Sequence, residues 1–278
     1  MSRTPSLITV MTATLAGGGT PNQDHVVVTP HAVAVLDGAT AERSSPSGRD
    51  GGWYARTLGA ALVVGLEDAW HALPEIVSGA VAGLRERHHL VPQECPTSTV
   101  AIACWGSGVL DVYVLGDSPA VVYPLDGEPV LVQDDRLALV GGAERARYQR
   151  HLAQGHGYDE AFAALLAELR AVQRGRRNRP GGYWIAGSDP DAAAQGVTAR
   201  FPLAGTAGVL LVTDGVADDV TQHGRRTWRE VRALVTSGDA GAYLRALHEV
   251  ERSDPDGRRW PRAKPHDDKT IAYVAFAG

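Results

Sequence analysis

Val26-Val27-Val28-Thr29-Pro30-His31-Ala32-Val33-Ala34-Val35-Leu36-Asp37-Gly38 reads as two short β-branched runs broken by Thr29-Pro30. Proline cannot donate to a strand ladder and favours a turn, so the stretch predicts an antiparallel pair. Its second run is apolar at every position and ends on an acidic residue. A carboxylate at the end of a buried strand is desolvated, which costs several kcal/mol unless something neutralises it.

Working outward, Gly and Pro together supply 48 of 278 residues and fall mostly between apolar runs, a pattern of many short elements joined by turns. Residues 98–105, 109–116, 120–123 and 129–133 read as a meander of strands. Its turns would be Gly106-Ser107-Gly108, Asp117-Ser118-Pro119 and Leu125-Asp126-Gly127-Glu128. Further strands are expected at 183–186, 209–213 and 270–276. Helical spacing marks 53–70, 76–90, a helix through Ala161, Leu165, Leu166 and Leu169, and then 228–235 and 240–250. Strands, a helix pair, strands and helices again make an α+β order. No linker or internal repeat divides the chain, so residues 1–278 are expected to form a single domain.

With 44% hydrophobic and 21% charged residues, the chain can bury a sizeable core. Its formal charge of −5 argues against a nucleic-acid surface, which needs a basic face. Only Cys95 and Cys104 are present, too few for a disulfide scaffold, which favours a reducing cytoplasm. Neither a secretory leader nor an apolar run of membrane-spanning length is visible.

Four more aspartates share the position of Asp37, beside an apolar run or at its end. Asp24 opens the first strand pair, and Asp117 follows Val112-Tyr113-Val114-Leu115-Gly116. Asp214 follows Val209-Leu210-Leu211-Val212-Thr213, and Asp267 precedes the last strand. Carboxylates gathered by antiparallel strands repel one another unless protons or cations intervene. Hard divalent ions such as Mg²⁺ or Mn²⁺ favour such all-oxygen sites. Gly38, without a Cβ, lets its carbonyl approach a cation beside Asp37. The histidines, His266 among them, show no zinc-ligand spacing and read as polar or capping residues.

The ordered set Asn22-Gln23-Asp24, Asp37-Gly38, Gly116-Asp117-Ser118, Thr213-Asp214-Gly215 and Asp267-Asp268-Lys269-Thr270 resembles the metal-dependent protein phosphatases of type 2C. The resemblance runs from about Thr9 to the C-terminus. It implies a four-layer αββα sandwich with two Mg²⁺ or Mn²⁺ ions at one end of the sheets. Asp37 would bridge the ions, with the Gly38 carbonyl completing one site. Asp214 and Asp267 would hold the first ion, and Asp24 would act through water. Asp117, together with Asp214, would serve a third ion. A water activated between the ions would then be the nucleophile, and no protein nucleophile is needed.

The sequence also departs from that family. Gly17-Gly18-Gly19-Thr20 stands where a basic residue usually grips phosphate, Gln23 replaces a common Glu, Ala39-Thr40 follows Gly38, and the general-acid histidine of many eukaryotic members is missing. A variable flap is implied near residues 126–190. It carries Arg174, Arg176, Arg177 and Arg179, of which Arg177 and Arg179 are the candidate replacements for the phosphate grip, with Arg43 and Arg49 as a second source. The expected activity is hydrolysis of phosphoserine or phosphothreonine in proteins. A small phosphorylated metabolite is the alternative substrate, and a catalytically silent phosphoprotein-binding module is the alternative of another kind.

Overall fold

The computed structural model describes residues 8–276 apart from 19–20, 40–47, 68–71 and 93. Arg43 lies outside the described residues. Eleven strands run in chain order among those residues: β1 Ile8–Leu15, β2 Asp24–Val28, β3 Ala32–Ala39, β4 Thr97–Ser98, β5 Val100–Gly106, β6 Val109–Leu115, β7 Ala120–Pro124, β8 Val130–Val132, β9 Val197–Pro202, β10 Thr206–Val212 and β11 Lys269–Phe276. The helices are α1 Gly51–Glu67, α2 Leu73–His88, α3 Arg136–Leu139, α4 Gly142–Ala153, α5 Glu160–Arg176, α6 Asp214–Thr221, α7 Trp228–Thr236 and α8 Ala240–Arg252.

The strands form two antiparallel sheets. One has the order β1-β11-β10-β7-β8 and the other β2-β3-β5-β6-β9, with β4 pairing off β3. Side chains alternate along each strand, and here both faces are covered. On β3, Val33 and Val35 pack into the core between the sheets, while Ala32, Ala34 and Leu36 pack with Leu58 and Leu62 of α1 and Val77 of α2. On β10 and β11, Val209, Leu211, Ala272 and Val274 face the same seam. Leu210, Val212, Ile271 and Tyr273 face Val231 of α7 and Leu244 of α8. Two covered faces explain why these strands read as unbroken apolar runs rather than alternating ones. The result is the expected αββα order of layers.

The first strand pair forms as expected. Thr29 closes its turn by donating its backbone N–H to the Ala32 carbonyl at 2.8 Å and accepting the Ala32 N–H on Oγ1 at 3.0 Å. The expected meander does not stay in one sheet. β5 and β6 form a hairpin through Ser107 and Gly108, both at positive φ, which is the backbone that a tight two-residue turn requires. At Gly116-Asp117-Ser118-Pro119 the chain instead crosses to the other sheet, where β7 pairs β8 and β10. Residues 183–186 make only isolated bridges, Arg177 to Tyr183 and Ser98 to Ala186, not a strand.

β1, β9, α4 and α6 carry weaker sequence signals. β9 alternates half-buried and exposed residues at one sheet edge, and β1 is exposed or half-buried along its length. Residues 136–176 form a separate cluster on one flank. There Tyr148 and Leu152 of α4 pack against Phe162, Leu166 and Leu169 of α5.

Gly38 sits where β3 meets the start of α1, and a Cβ there would lie 2.2 Å from the Gly51 carbonyl oxygen. Gly38→Ala therefore forces two backbones apart beside Asp37. It is expected to destabilise the fold by about 3 kcal/mol, the upper end for overpacking, as read by urea unfolding. An unchanged midpoint would show that this contact can relax.

Candidate metal centre

Asp24 and Asp37 lie directly opposite each other in the β2–β3 register. Directly opposed residues share a face, and Asp37 continues the Val33–Val35 face, so both carboxylates lie at the end of the seam between the sheets. The other sheet contributes the rest. Asp214 is the first residue of α6, separated from β10 by Thr213 alone, and Asp267 lies just before β11. Asp117 sits in the crossover between the sheets. A Cβ on Gly215 would lie 2.1 Å from the Asp268 carbonyl oxygen, so only glycine lets α6 start close against the approach to β11.

Hydroxyls and backbone amides fix this end of the sandwich. Thr213 Oγ1 donates to Asp24 Oδ2 at 2.9 Å and accepts the Thr270 N–H at 3.0 Å. The Asp37 N–H donates to Thr99 Oγ1, which shares a 2.6 Å bond with Ser118 Oγ. Asp268 takes the Gly17 N–H on one oxygen and the Gln23 N–H on the other, both at 2.8 Å. It thereby holds Gly17 and Gln23, the latter directly before Asp24 at the start of β2, a role its place beside Asp267 in the sequence did not disclose.

The electrostatics are those of crowded like charges. Burial, then Asp37, raises Asp24 well above the usual carboxylate range, against the opposing Thr213 bond. Burial, followed by Asp267, pushes Asp37 up to about 7, with Asp117 adding and Lys264 opposing. Asp214 is raised well above its ordinary value by burial and then by Asp37, Asp267 and Asp117. Burial also raises Asp117, where a backbone hydrogen bond opposes it and Asp134 and Asp267 add.

Two side chains missing from the sequence expectations join this set. Asp218, one turn along α6 from Asp214, is pushed up to about 7 by burial, with Asp117 and Asp267 adding and a Gln222 hydrogen bond opposing. The i, i+4 spacing of Asp214 and Asp218 would have disclosed it had the α6 helix been recognised. Lys264 Nζ donates to Asp267 Oδ1 at 2.6 Å. Burial pulls its ammonium down, but Asp267, Asp214 and Asp37 outweigh this and hold it above the ordinary lysine range.

The donor set fits hard divalent cations. Asp24 Oδ1 and Asp214 Oδ1 are buried without a hydrogen-bond partner, and among crowded carboxylates a cation both satisfies such atoms and offsets their repulsion. All of the side-chain donors are oxygens, as Mg²⁺ and Mn²⁺ prefer.

A cavity of about 630 Å³ opens beside the carboxylates, between α6 and the α3–α5 segment. Asp117, Asp214, Asp218 and Asp267 line it together with Arg145, Arg170, Arg225 and Lys264. Arg177 and Arg179 do not line it. Arg177 lies beside the Tyr183 phenol, which in turn feels the charge of Asp117, whereas Arg179 is exposed. Arg49 donates to the His88 carbonyl at 2.7 Å and stacks over Trp53, so it braces α2. Among the described residues no helix is long and apolar enough to cross a membrane.

Comparison with known proteins agrees with this fold. Solved structures with the same fold include the Mycobacterium tuberculosis serine/threonine phosphatase PstP/Ppp, with 15% identity, a TM-score of 0.59, and coverage of 98% of this chain and 99% of that one. Stp1 from Staphylococcus aureus, also a serine/threonine phosphatase, shares 15% identity with a TM-score of 0.58 over the whole of both chains. A structure of the PstP catalytic domain in complex with two manganese ions aligns over 98% of this chain and 99% of that one, at 13% identity and a TM-score of 0.57. No curated protein sequence matches the chain. The family model for protein phosphatase 2C matches residues 14–250. With carboxylates from both sheets converging at one end of an αββα sandwich and the family model spanning most of its length, this chain belongs to the protein phosphatase 2C family.

Proposed function

We propose that the chain is a divalent-cation-dependent phosphomonoester hydrolase acting on phosphoserine or phosphothreonine in proteins. The observation that carries the reading is the convergence of Asp24, Asp37, Asp117, Asp214 and Asp267, with two buried oxygens left unpartnered. A structural cluster would disperse such charges or pair each of them, since an uncompensated buried carboxylate costs several kcal/mol.

Asp37, Asp214 and Asp267 would hold Mg²⁺ or Mn²⁺, the Gly38 carbonyl and Asp24 would complete the principal sites, and Asp117 would serve a third with Asp218. Bound there, such ions supply positive charge that neutralises the carboxylates, draws phosphoryl oxygens and acidifies nearby water. Thr213 keeps one Asp24 oxygen fixed, leaving the other free to orient a water. Lys264, with Arg145 and Arg170 in the cavity wall, is placed to receive phosphate oxygens in place of the basic residue missing near Gly17-Gly18. Arg177 would act further out, through Tyr183 at the edge of the site.

Hydrolysis of p-nitrophenyl phosphate should require Mn²⁺ or Mg²⁺, and Asp37→Asn or Asp214→Asn should reduce kcat/KM by at least about a hundredfold, since losing even an outer partner of a metal ligand can cost that much. No turnover with either ion over a broad pH range would leave a phosphoprotein-binding module. Faster turnover of phosphorylated metabolites than of phosphopeptides would reassign the substrate.

At saturating cation, Lys264→Ala should raise KM several-fold with little change in kcat, as expected for a group that grips ground-state phosphate. An unchanged KM would confine Lys264 to neutralising Asp267.

The raised Asp37 value also predicts the pH dependence of stability. In chelator, the folded chain holds a proton between roughly pH 4 and pH 7 that the unfolded chain has released, so stability falls as pH rises through that window. Thermal unfolding in EDTA should therefore show a lower Tm at about pH 8 than at about pH 5. Mn²⁺ at the higher pH should recover it, because a ligand bound only by the folded state raises its stability. Equal Tm values in EDTA at the two pH values would contradict the assigned crowding.

A further inference from the structure

We propose that His248, Glu251 and His266 form a transition-metal site, chemically distinct from the all-oxygen centre beside it. The three offer two imidazole nitrogens and a carboxylate oxygen, and these atoms all lie within 4.8 Å of one another. His248 and Glu251 are three residues apart on α8 and so share one face of the helix. His266 comes from the loop before β11. Its ring lies 4.3 Å from that of His248, tilted by 25°, and its Nδ1 is 3.0 Å from Glu251 Oε2.

Two observations favour a cation over a closed hydrogen-bond cluster. His248 Nδ1 is buried with no hydrogen-bond partner and stands 3.9 Å from Glu251 Oε2, too far to bond. A small cation between them would give the nitrogen a partner, where the present arrangement leaves it orphaned. Glu251, with a side chain only 12% exposed, also lines the cavity, which gives an ion a way in and leaves room for water as a further ligand.

The donor chemistry sets the class of ion. Two imidazoles with one carboxylate suit Zn²⁺ and its first-row neighbours, whereas Mg²⁺ takes oxygen ligands and keeps much of its water. The buried Lys269 ammonium, 2.8 Å from Glu251 Oε2, opposes any cation here. The site is therefore an exchangeable one, weaker than a closed structural zinc centre. It stands against the carboxylate cluster, since His266 precedes Asp267 and Lys269 also donates to the Asp267 carbonyl at 2.7 Å.

The proposal does not depend on the phosphatase reading, and its test is a binding measurement. In a large excess of Mg²⁺, which saturates the oxygen centre, the full chain dialysed against micromolar Zn²⁺ should retain one equivalent more than His248→Ala, a variant that leaves every aspartate in place. The same stoichiometry for both, or no retained Zn²⁺ in the wild type, overturns the site. Should His248→Ala misfold, the wild type alone decides: Zn²⁺ should shift the imidazole ¹⁵N resonances of both His248 and His266 under the same Mg²⁺ excess. Resonances that stay in place overturn the proposal equally.

Discussion

The repulsion among five aspartates at one end of the sandwich is the constraint to which the neighbouring architecture answers. Asp24 and Asp37 are held face to face by strand register, and Asp214, Asp267 and Asp117 are brought to them by the other sheet and the crossover. Nothing local would keep these groups together. The core between the sheets does so, with Val33, Val35, Val209, Leu211, Ala272 and Val274 buried against one another. Burial of that seam opposes the charge crowding at its end, and the raised Asp37 and Asp214 values express the strain that remains.

The approach to β11 shows how a loop can be made rigid enough to carry such a site. Arg262 is buried and donates to the carbonyls of Glu251, Asp254, Trp260 and Pro265, and to the Asp254 carboxylate as well. Asp254 in turn accepts the backbone N–H groups of Arg259 and Trp260. One arginine thus ties the end of α8 to the segment that delivers Lys264, His266 and Asp267. A charge-assisted network of this kind holds a loop in place of regular secondary structure. The segment so held sets Lys264 against Asp267, and His266 against Glu251 and His248.

The flank built from α3 to α5 answers a different need. Its own small core lets it stand beside α6 without drawing on the sandwich interior, and it supplies Arg145 and Arg170 to a cavity that also holds Asp117, Asp214, Asp218 and Asp267. Cations and carboxylates lining one cleft suit an anionic ligand held together with positive ions.

How much of this was legible in the chain follows from what each signal rests on. The apolar runs that end at Asp37, Asp117 and Asp214 could be read directly, because a strand covered on both faces has to be apolar throughout, and an acid at its end stands out. Helices α1, α2, α5, α7 and α8 were legible for the same reason, each burying one stripe. β9 was hidden because an edge strand needs little apolar content, and α6 because it is short and its first residue is the acid that follows an apolar run. Asp218 was hidden only because α6 was, whereas the roles of Lys264 and Asp268 and the pairing of His248 with His266 were beyond sequence reading, since each depends on which segments meet in space. The sequence by itself determined the α+β order of buried strands and helices and marked the acids at the strand ends, because burial periodicity and desolvated charge are local properties of a chain, while the αββα layering was implied by the likeness of its ordered motifs to a known family. Only the tertiary structure decided which cations face those carboxylates and which histidines meet, because such contacts join residues that strand order and loop geometry bring together from distant parts of the sequence.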